Sequence, residues 1–452
     1  MEPKKKGLDG SKEPVFNTTK IKRGNVLICV IKMKGQGSRI SGFYKLSIKE
    51  RVAFVKDFAS LTEEETNLLH QALNLPTADR FIENVVGTYQ LPLGITVNFL
   101  IDGRDYLIPM AIEESSVVAA ASNAAKLARI KGGFKAEATE PLMIGQVQVK
   151  DLKSIEEAKK NLLSRKKEVI NLANEQDPFL VKLGGGAKDL EVREIETDRG
   201  AMLIVHLLVD VRDAMGANAV NTMAEAVTSL IERITGGKVG LRILSNLADH
   251  RLATSRAVFD KEAIGGEEVV DAILDAYEFA KADPYRATTH NKGIMNGIDP
   301  VVIATGNDFR AVESGAHSYA AKDGRYKPLT RWWKDREGNL QGEIKLPLAL
   351  GTVGGLTRLH PCARLCLKIL GVRSSKELAK VAASVGLAQN FAAMRALATE
   401  GIQKGHMKLH AKNIAMMAGA KGELLDKIAE KMVQKGKVNI ELAKELLKEF
   451  EK

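Results

Sequence analysis

Cysteine is scarce: Cys29, Cys362 and Cys366 are the only ones among 452 residues. Three thiols without paired spacing exclude a disulfide framework and a thiolate zinc site. Aromatic residues make up 5% of the chain, too few to build stacking platforms for single-stranded nucleic acid. No window holds the 18 or more uncharged apolar residues of a membrane span. The run Val26–Ile31 (VLICVI) is too short for a signal-peptide core and has no small-residue cleavage site after it. These absences predict a cytoplasmic chain with neither membrane nor nucleic acid as a partner.

The common nucleotide fingerprints are also missing. There is no G-x-G-x-x-G after a strand, no Walker A loop and no H-E-x-x-H, and no G-x-S-x-G elbow. Gly184-Gly185-Gly186 lacks the further glycine, and Gly236-Gly237-Lys238 is followed by Val239 rather than Ser or Thr. Two glycine-rich segments can still bring backbone close to a phosphate: residues 213–218 (DAMGAN) and 351–355 (GTVGG).

What is present starts with charge. The formal net charge is +11, but residues 1–39 hold Lys4, Lys5, Lys6, Lys12, Lys20, Lys22, Arg23, Lys32, Lys34 and Arg39 against Glu2, Asp9 and Glu13. The rest of the chain is close to balanced, so the body projects no single-sign field. Residues 1–38, Lys-rich and broken by Gly and Ser, read as a disordered extension. Met33 precedes the first segment that reads as folded, which predicts Met33 as the natural start.

The body is 45% apolar and 27% charged over the whole sequence, enough for ample core in two or three domains. Residues 46–75 show a helical pattern, with Thr62 and Glu65 spaced as a capping box. Residues 96–112 read as a hairpin through Asp102-Gly103, a strong turn pair. Glu113-Glu114-Ser115-Ser116 follows, leading into a small-residue helix. Residues 141–245 alternate as β-α-β-β-α-β, the order of a ferredoxin-like insert, with one helix over 155–175. A helix over 266–282 restarts the main body, and two amphipathic helices broken at Lys435-Gly436-Lys437 end the chain.

The richest stretch is 283–317, DPYRATTHNKGIMNGIDPVVIATGNDFRAVESGAH. Polar side chains this varied, set among glycines, suit a loop-built site. The apolar run 300–304 reads as a buried strand that delivers Asn307 and Asp308 at its exit. Lys292 and Asp308 are sixteen positions apart; the ammonium can hold a developing oxyanion while the carboxylate tunes it.

Together these segments resemble class II 3-hydroxy-3-methylglutaryl-coenzyme A reductase. The resemblance rests on ENVVGTYQLP (83–92), EESSVVAAAS (113–122), DVRDAMGANAVNTMAEAV (210–227), RILSNLADHRLA (242–253), residues 283–320, VGGLTRLHP (353–361) and VGLAQNFAAMRALATEGIQKGHMKLHAKN (385–413). It covers the chain from about Ser41 onward.

The resemblance implies an α+β fold: a helix-rich large substrate-binding domain (39–140 and 246–399), an inserted ferredoxin-like, non-Rossmann nicotinamide-binding small domain (141–245), and a helical C-terminal flap (400–452). It implies a catalytic set of Glu114, Lys292, Asp308 and His406. Lys292 stabilises the oxyanion and Asp308 orients it. Glu114 relays or donates a proton, and His406 protonates the departing coenzyme A thiolate, a role that suits an imidazole.

Arg286, Ser116, Asn296 and Gln389 match positions that hold the hydroxymethylglutaryl group, with Arg286 on its carboxylate. His290 and Asn291 flank the lysine and position it. Asp177, Asp213, Met215, Gly216, Ala217, Asn218 and Asn246 match the cofactor pocket. Asp177 falls where NADH-preferring members set an acid against the ribose hydroxyls, which repels a 2′-phosphate.

The implied reaction interconverts 3-hydroxy-3-methylglutaryl-CoA and mevalonate plus coenzyme A with NADH, without metal. The implied assembly is a homodimer, which higher assembly can extend. Two departures stand out. Lys45 substitutes where a coenzyme A arginine is expected, and EESS replaces EEPS, losing a stiffening proline. The alternative is another NAD-dependent acyl-CoA or aldehyde oxidoreductase on the same scaffold. A protein that only binds would have no need of all four catalytic groups.

Overall fold

The computed structural model describes residues 18–23, 26–31, 37–399 and 402–450, with side chains for 37–399 and 410–450. Its strands are β1 (Thr18–Arg23), β2 (Val26–Ile31), β3 (Leu93–Ile101), β4 (Arg104–Ala111), β5 (Phe134–Ala138), β6 (Leu142–Lys150), β7 (Gly186–Ile195), β8 (Met202–Asp210), β9 (Lys238–Ser245), β10 (Leu252–Phe259), β11 (Thr330–Lys334) and β12 (Leu340–Pro347). β1 and β2 pair antiparallel. Two β-rich hexads thus form a ladder inside the stretch whose composition predicted disorder.

The large sheet runs β11-β12-β10-β5-β3-β4. β3 and β4 join through Asp102 and Gly103, both at positive φ (51° and 81°). That is the tight turn the Asp-Gly pair predicts. Two capping boxes organise the segment before it. Ser47 with Glu50 opens the helix Ile48–Ala59, and Thr62 with Glu65 opens Glu63–Asn67. The helical pattern over 46–75 is therefore several short helices, each restarted by its own cap.

The second sheet lies in the order β7-β8-β6-β9, antiparallel throughout. Numbered within this segment the order is 2-3-1-4, the split β-α-β arrangement read from the sequence. The helix over 155–175 is in fact two, Ile155–Ser164 and Lys166–Asn174, divided at Arg165. The unit is inserted between neighbours. β5 leads into it and β10 leads out, and these strands pair with Ala253 opposite Ala138. Its own first and last strands also pair, with Ile144 opposite Ser245.

Two long helices pack together beside the large sheet: Pro284–Ala304 and Ser375–Ala398. Their close approach is written in GIMNG. A Cβ at Gly297 would stand 2.8 Å from both the Gln389 Cβ and the Val385 carbonyl oxygen. Helix Pro284–Ala304 also corrects the strand expected over 300–304. Ile298, Pro300, Val301, Val302 and Ala304 are buried inside it. A helix end enclosed on several sides shows the same unbroken apolar run as a buried strand, so periodicity cannot separate them.

The last three helices, Ile402–Met417, Glu423–Gln434 and Ile440–Phe450, share a small core of their own around Ala411, Ala415, Ile428, Met432 and Leu446.

Candidate active site

Lys292 and Asn296 occupy successive turns of helix Pro284–Ala304, so they share a face. Opposite them stands Glu114, in the turn between β4 and helix Val117–Ala128. The Lys292 ammonium lies 2.9 Å from Glu114 Oε2, and the Asn296 amide donates to Glu114 Oε1 at 3.3 Å. Lys292 and Glu114 remain well exposed, so the pair contributes little to stability. Its value is to hold an ammonium and a carboxylate together at an open surface.

The turn that delivers Glu114 is strained. Ser116 sits at φ 75°, a left-handed conformation rare for a residue with a side chain. Such outliers cluster where function over-determines the backbone. Gln389, on the facing helix, is 6% exposed, and its Oε1 has no hydrogen-bond partner. A buried acceptor left open in this way is suited to receive a substrate hydroxyl.

The residues around the lysine fix its helix. Asn291 brackets the neighbouring segment, donating to the Lys327 carbonyl and accepting from the Leu329 N–H, both at 2.9 Å. His290 is buried against Thr330 and Asn390, and burial pushes its pKa down to about 3. It is a neutral structural imidazole. Arg286 is partly desolvated, which lowers its pKa, and it makes no ion pair among the described residues. It is a free guanidinium one turn after the N-terminus of the lysine's helix.

Asp308 departs from expectation. Its Oδ1 accepts from the N–H groups of Arg310 and Ala311 at 3.0 and 3.1 Å, capping helix Phe309–Ala321. The same oxygen pairs with Arg310 at 3.2 Å. No contact with Lys292 appears among the described residues; Glu114 takes the position predicted for Asp308. Asp308 is the first residue before an unpaired helix N-terminus, and that local demand for an acceptor wins here. His406 belongs to helix Ile402–Met417, and its side chain lies outside the described residues.

The three glycine-rich segments converge. A Cβ at Gly185 would stand 2.7 Å from the Asp210 carbonyl oxygen, and Arg212 donates to the Gly184 carbonyl. The N–H of Thr352 donates to the Asp213 carbonyl at 2.8 Å, and Ala214 bridges Val353. Gly216 caps helix Ala217–Ala226 at φ 101°, so Met215, Gly216, Ala217 and Asn218 form a helix N-terminus facing these loops. The Asp213 carboxylate accepts from the Ser375 N–H at 2.8 Å. Asp177 caps the short helix Pro178–Lys182 through Oδ1, and the Asn246 carbonyl packs against Gly315. Close backbone contacts that exclude even a methyl group suit a cradle for a diphosphate.

One feature was not signalled by any motif. A cavity of about 900 Å³ opens beside Ser115 and Ser116 and is lined by Lys45, Arg51 and Lys126 among apolar residues such as Ile40 and Val97. Lys45 is the cation the family resemblance set against coenzyme A; Arg51 and Lys126 come from separate elements and were not signalled.

An exposed ammonium–carboxylate pair, an unpartnered buried amide oxygen and converging glycine loops fit an enzyme that handles developing negative charge and a phosphate-bearing ligand. Comparison with known proteins is specific. A family model, hydroxymethylglutaryl-coenzyme A reductase, matches residues 47–411. The 3-hydroxy-3-methylglutaryl-coenzyme A reductase of Archaeoglobus fulgidus is 63% identical over 415 residues, covering 92% of this chain and 95% of that protein. A probable reductase of the same name from Borreliella burgdorferi is 36% identical over 405 residues, covering 86% and 90%. The class II enzyme from Streptococcus pneumoniae, solved bound to NADPH in open conformations, superposes with a TM-score of 0.76 at 42% identity, covering 90% of this chain and all of that one. The chain belongs to the hydroxymethylglutaryl-coenzyme A reductase family, in its class II form. Among the described residues, no helix is long and apolar enough to cross a membrane.

Proposed function

We propose that this protein interconverts 3-hydroxy-3-methylglutaryl-CoA and mevalonate plus coenzyme A, with the Lys292–Glu114–Asn296 cluster at the reacting carbonyl. The contact of Lys292 with Glu114 at 2.9 Å is the observation that carries this reading. Two reduced nicotinamides, bound in succession, would each supply one hydride. The first turns the thioester into a hemithioacetal; the C–S bond then breaks to give mevaldehyde and the thiol, and the second gives the alcohol.

The chain's own groups serve each change of charge. Lys292 stabilises the oxyanion that develops at the former carbonyl oxygen. Glu114, bonded to Lys292, passes a proton toward that oxygen through the ammonium. Gln389 and Ser116 hold the hydroxymethyl end, and Arg286 pairs with the free carboxylate. Asp308 caps its own helix beyond the far end of the one that carries Lys292, so it adds negative charge near a lysine only across a subunit interface. His406, carried by the C-terminal helices as a flap, protonates the leaving thiolate.

The cavity with Lys45, Arg51 and Lys126 takes the phosphate-bearing end of coenzyme A; Ser115 and Ser116, next to Glu114 in the chain, also line it. The converged glycine loops take the dinucleotide, with Asp177 favouring NADH by repelling a 2′-phosphate. The working unit is a cytoplasmic homodimer. The irregular segment that exposes Ile82, Val86 and Tyr89 supports this, because Val86 is 99% exposed and apolar groups so placed call for a covering surface.

Loss of nicotinamide absorbance with the CoA thioester tests the reading directly. Turnover with NADH exceeding that with NADPH is expected. A folded protein that oxidises neither nucleotide would overturn it.

A further inference from the structure

Arg251 is 4% exposed and makes no ion pair among the described residues. Asp210, the nearest acid in charge terms, pairs with Arg212 at 3.0 Å instead. Burying a guanidinium without a carboxylate is costly, and here burial lowers its pKa to about 10. Its donors are spent on main-chain carbonyls: Met215 at 3.0 Å, Ala214 at 3.2 Å, and Leu350. Those carbonyls belong to two different loops, 213–216 and 350–355.

The same two loops touch at Gly351, where a Cβ would stand 2.5 Å from the Met215 nitrogen. From the other side, Asn307 brackets Gly351, donating to its carbonyl at 3.1 Å and accepting from its N–H at 2.7 Å. Asn307 is the neighbour of Asp308. The contacts form an unbroken path from Arg251 through the DAMG loop and Gly351 to the turn that carries Asp308.

We propose that Arg251 is a positioning residue of the reaction, clamping the 213–216 loop, which would hold the dinucleotide, and the 350–355 loop in one arrangement against the turn of Asn307 and Asp308. The guanidinium reaches three carbonyls on two loops from two separate nitrogens, whereas an ammonium presents all its donors from a single nitrogen. The charge alone is therefore insufficient, and lysine does not replace it. The inference rests on the nucleotide site assigned above.

The test uses full-length R251K and Gly351→Ala proteins, with thermal melting, steady-state kinetics and equilibrium binding of NADH followed by fluorescence. Both variants are expected to raise the nucleotide KM and Kd at least tenfold while the thioester KM stays within twofold. Combining them should add little, since they loosen one joint. A folded R251K or Gly351→Ala protein that binds NADH within twofold of wild type overturns the proposal. So does a lowered melting temperature with both substrate KM values moved alike, which marks a merely structural arginine. If R251K does not fold, Gly351→Ala decides, because it separates the loops with the guanidinium in place. Wild-type protein that binds NADH but turns nothing over would defeat the assigned activity alone, and the binding measurements would still judge the clamp.

Discussion

The two halves of the proposed site are built from different materials. The half proposed for substrate projects side chains from long helices locked by packing: Lys292 and Asn296 on one, Gln389 on the other, with Gly297 at the crossing. The half proposed for cofactor is mostly backbone, three glycine-bearing loops held by buried polar groups. The first half should therefore be sensitive to losing functional groups, and the second to gaining carbon atoms.

Truncating the lysine is the strongest way to break that contrast. Lys292→Ala should cut kcat by about 10²–10³-fold, the usual worth of an oxyanion donor, while the exposed position leaves melting almost unchanged. Near-normal turnover would remove Lys292 from its role. Gly297→Ala tests the crossing. A methyl group 2.8 Å from the Val385 carbonyl must displace a helix, costing about 1–3 kcal/mol, read as a lower unfolding midpoint with weaker thioester binding. An unshifted midpoint would show that the helices have slack.

On the cofactor side, Asp177→Ala should shift the NADH-to-NADPH preference by about tenfold, a single charge's worth of discrimination near the surface. An unchanged ratio would place specificity elsewhere. An effect that is absent at neutral pH and grows with acid concerns His290, whose imidazole titrates differently in the folded and unfolded chain. Its pKa is about 3 in the fold and about 6.5 unfolded. The unfolded chain therefore takes the proton first as pH falls. The stability His290 provides is full above about pH 6.5 and is lost progressively toward pH 3, by up to about 1.4 kcal/mol per unit. His290→Asn should flatten that acid limb in a series of melts; an equally steep limb would clear His290 of responsibility.

Local signals in the sequence predicted local structure well. Asp102-Gly103 made its turn, Thr62 and Glu65 their capping box, and the β-α-β-β-α-β rhythm its four-stranded sheet. The failures lie where distant parts decide. Residues 300–304 continue a helix because neighbours enclose them, and Asp308 satisfies its own helix instead of reaching Lys292. The Glu114–Lys292 contact joins residues 178 positions apart; family resemblance grouped these residues, but their pairing appears only in the fold. Nothing about Arg251 in the chain announces three carbonyl partners, because main-chain acceptors leave no mark on composition.

The insertion of the small unit between paired strands bears on the order of folding. β5 and β10 meet only when a long intervening segment has closed on itself, and loop closure is paid for in chain entropy. When β6 and β9 have already paired, with Ile144 opposite Ser245, the effective loop shrinks to the few residues flanking them. The small unit thus acts as a staple for the large sheet. Its early assembly shortens the search by which β5 finds β10, and a variant that slows its folding should slow the whole protein.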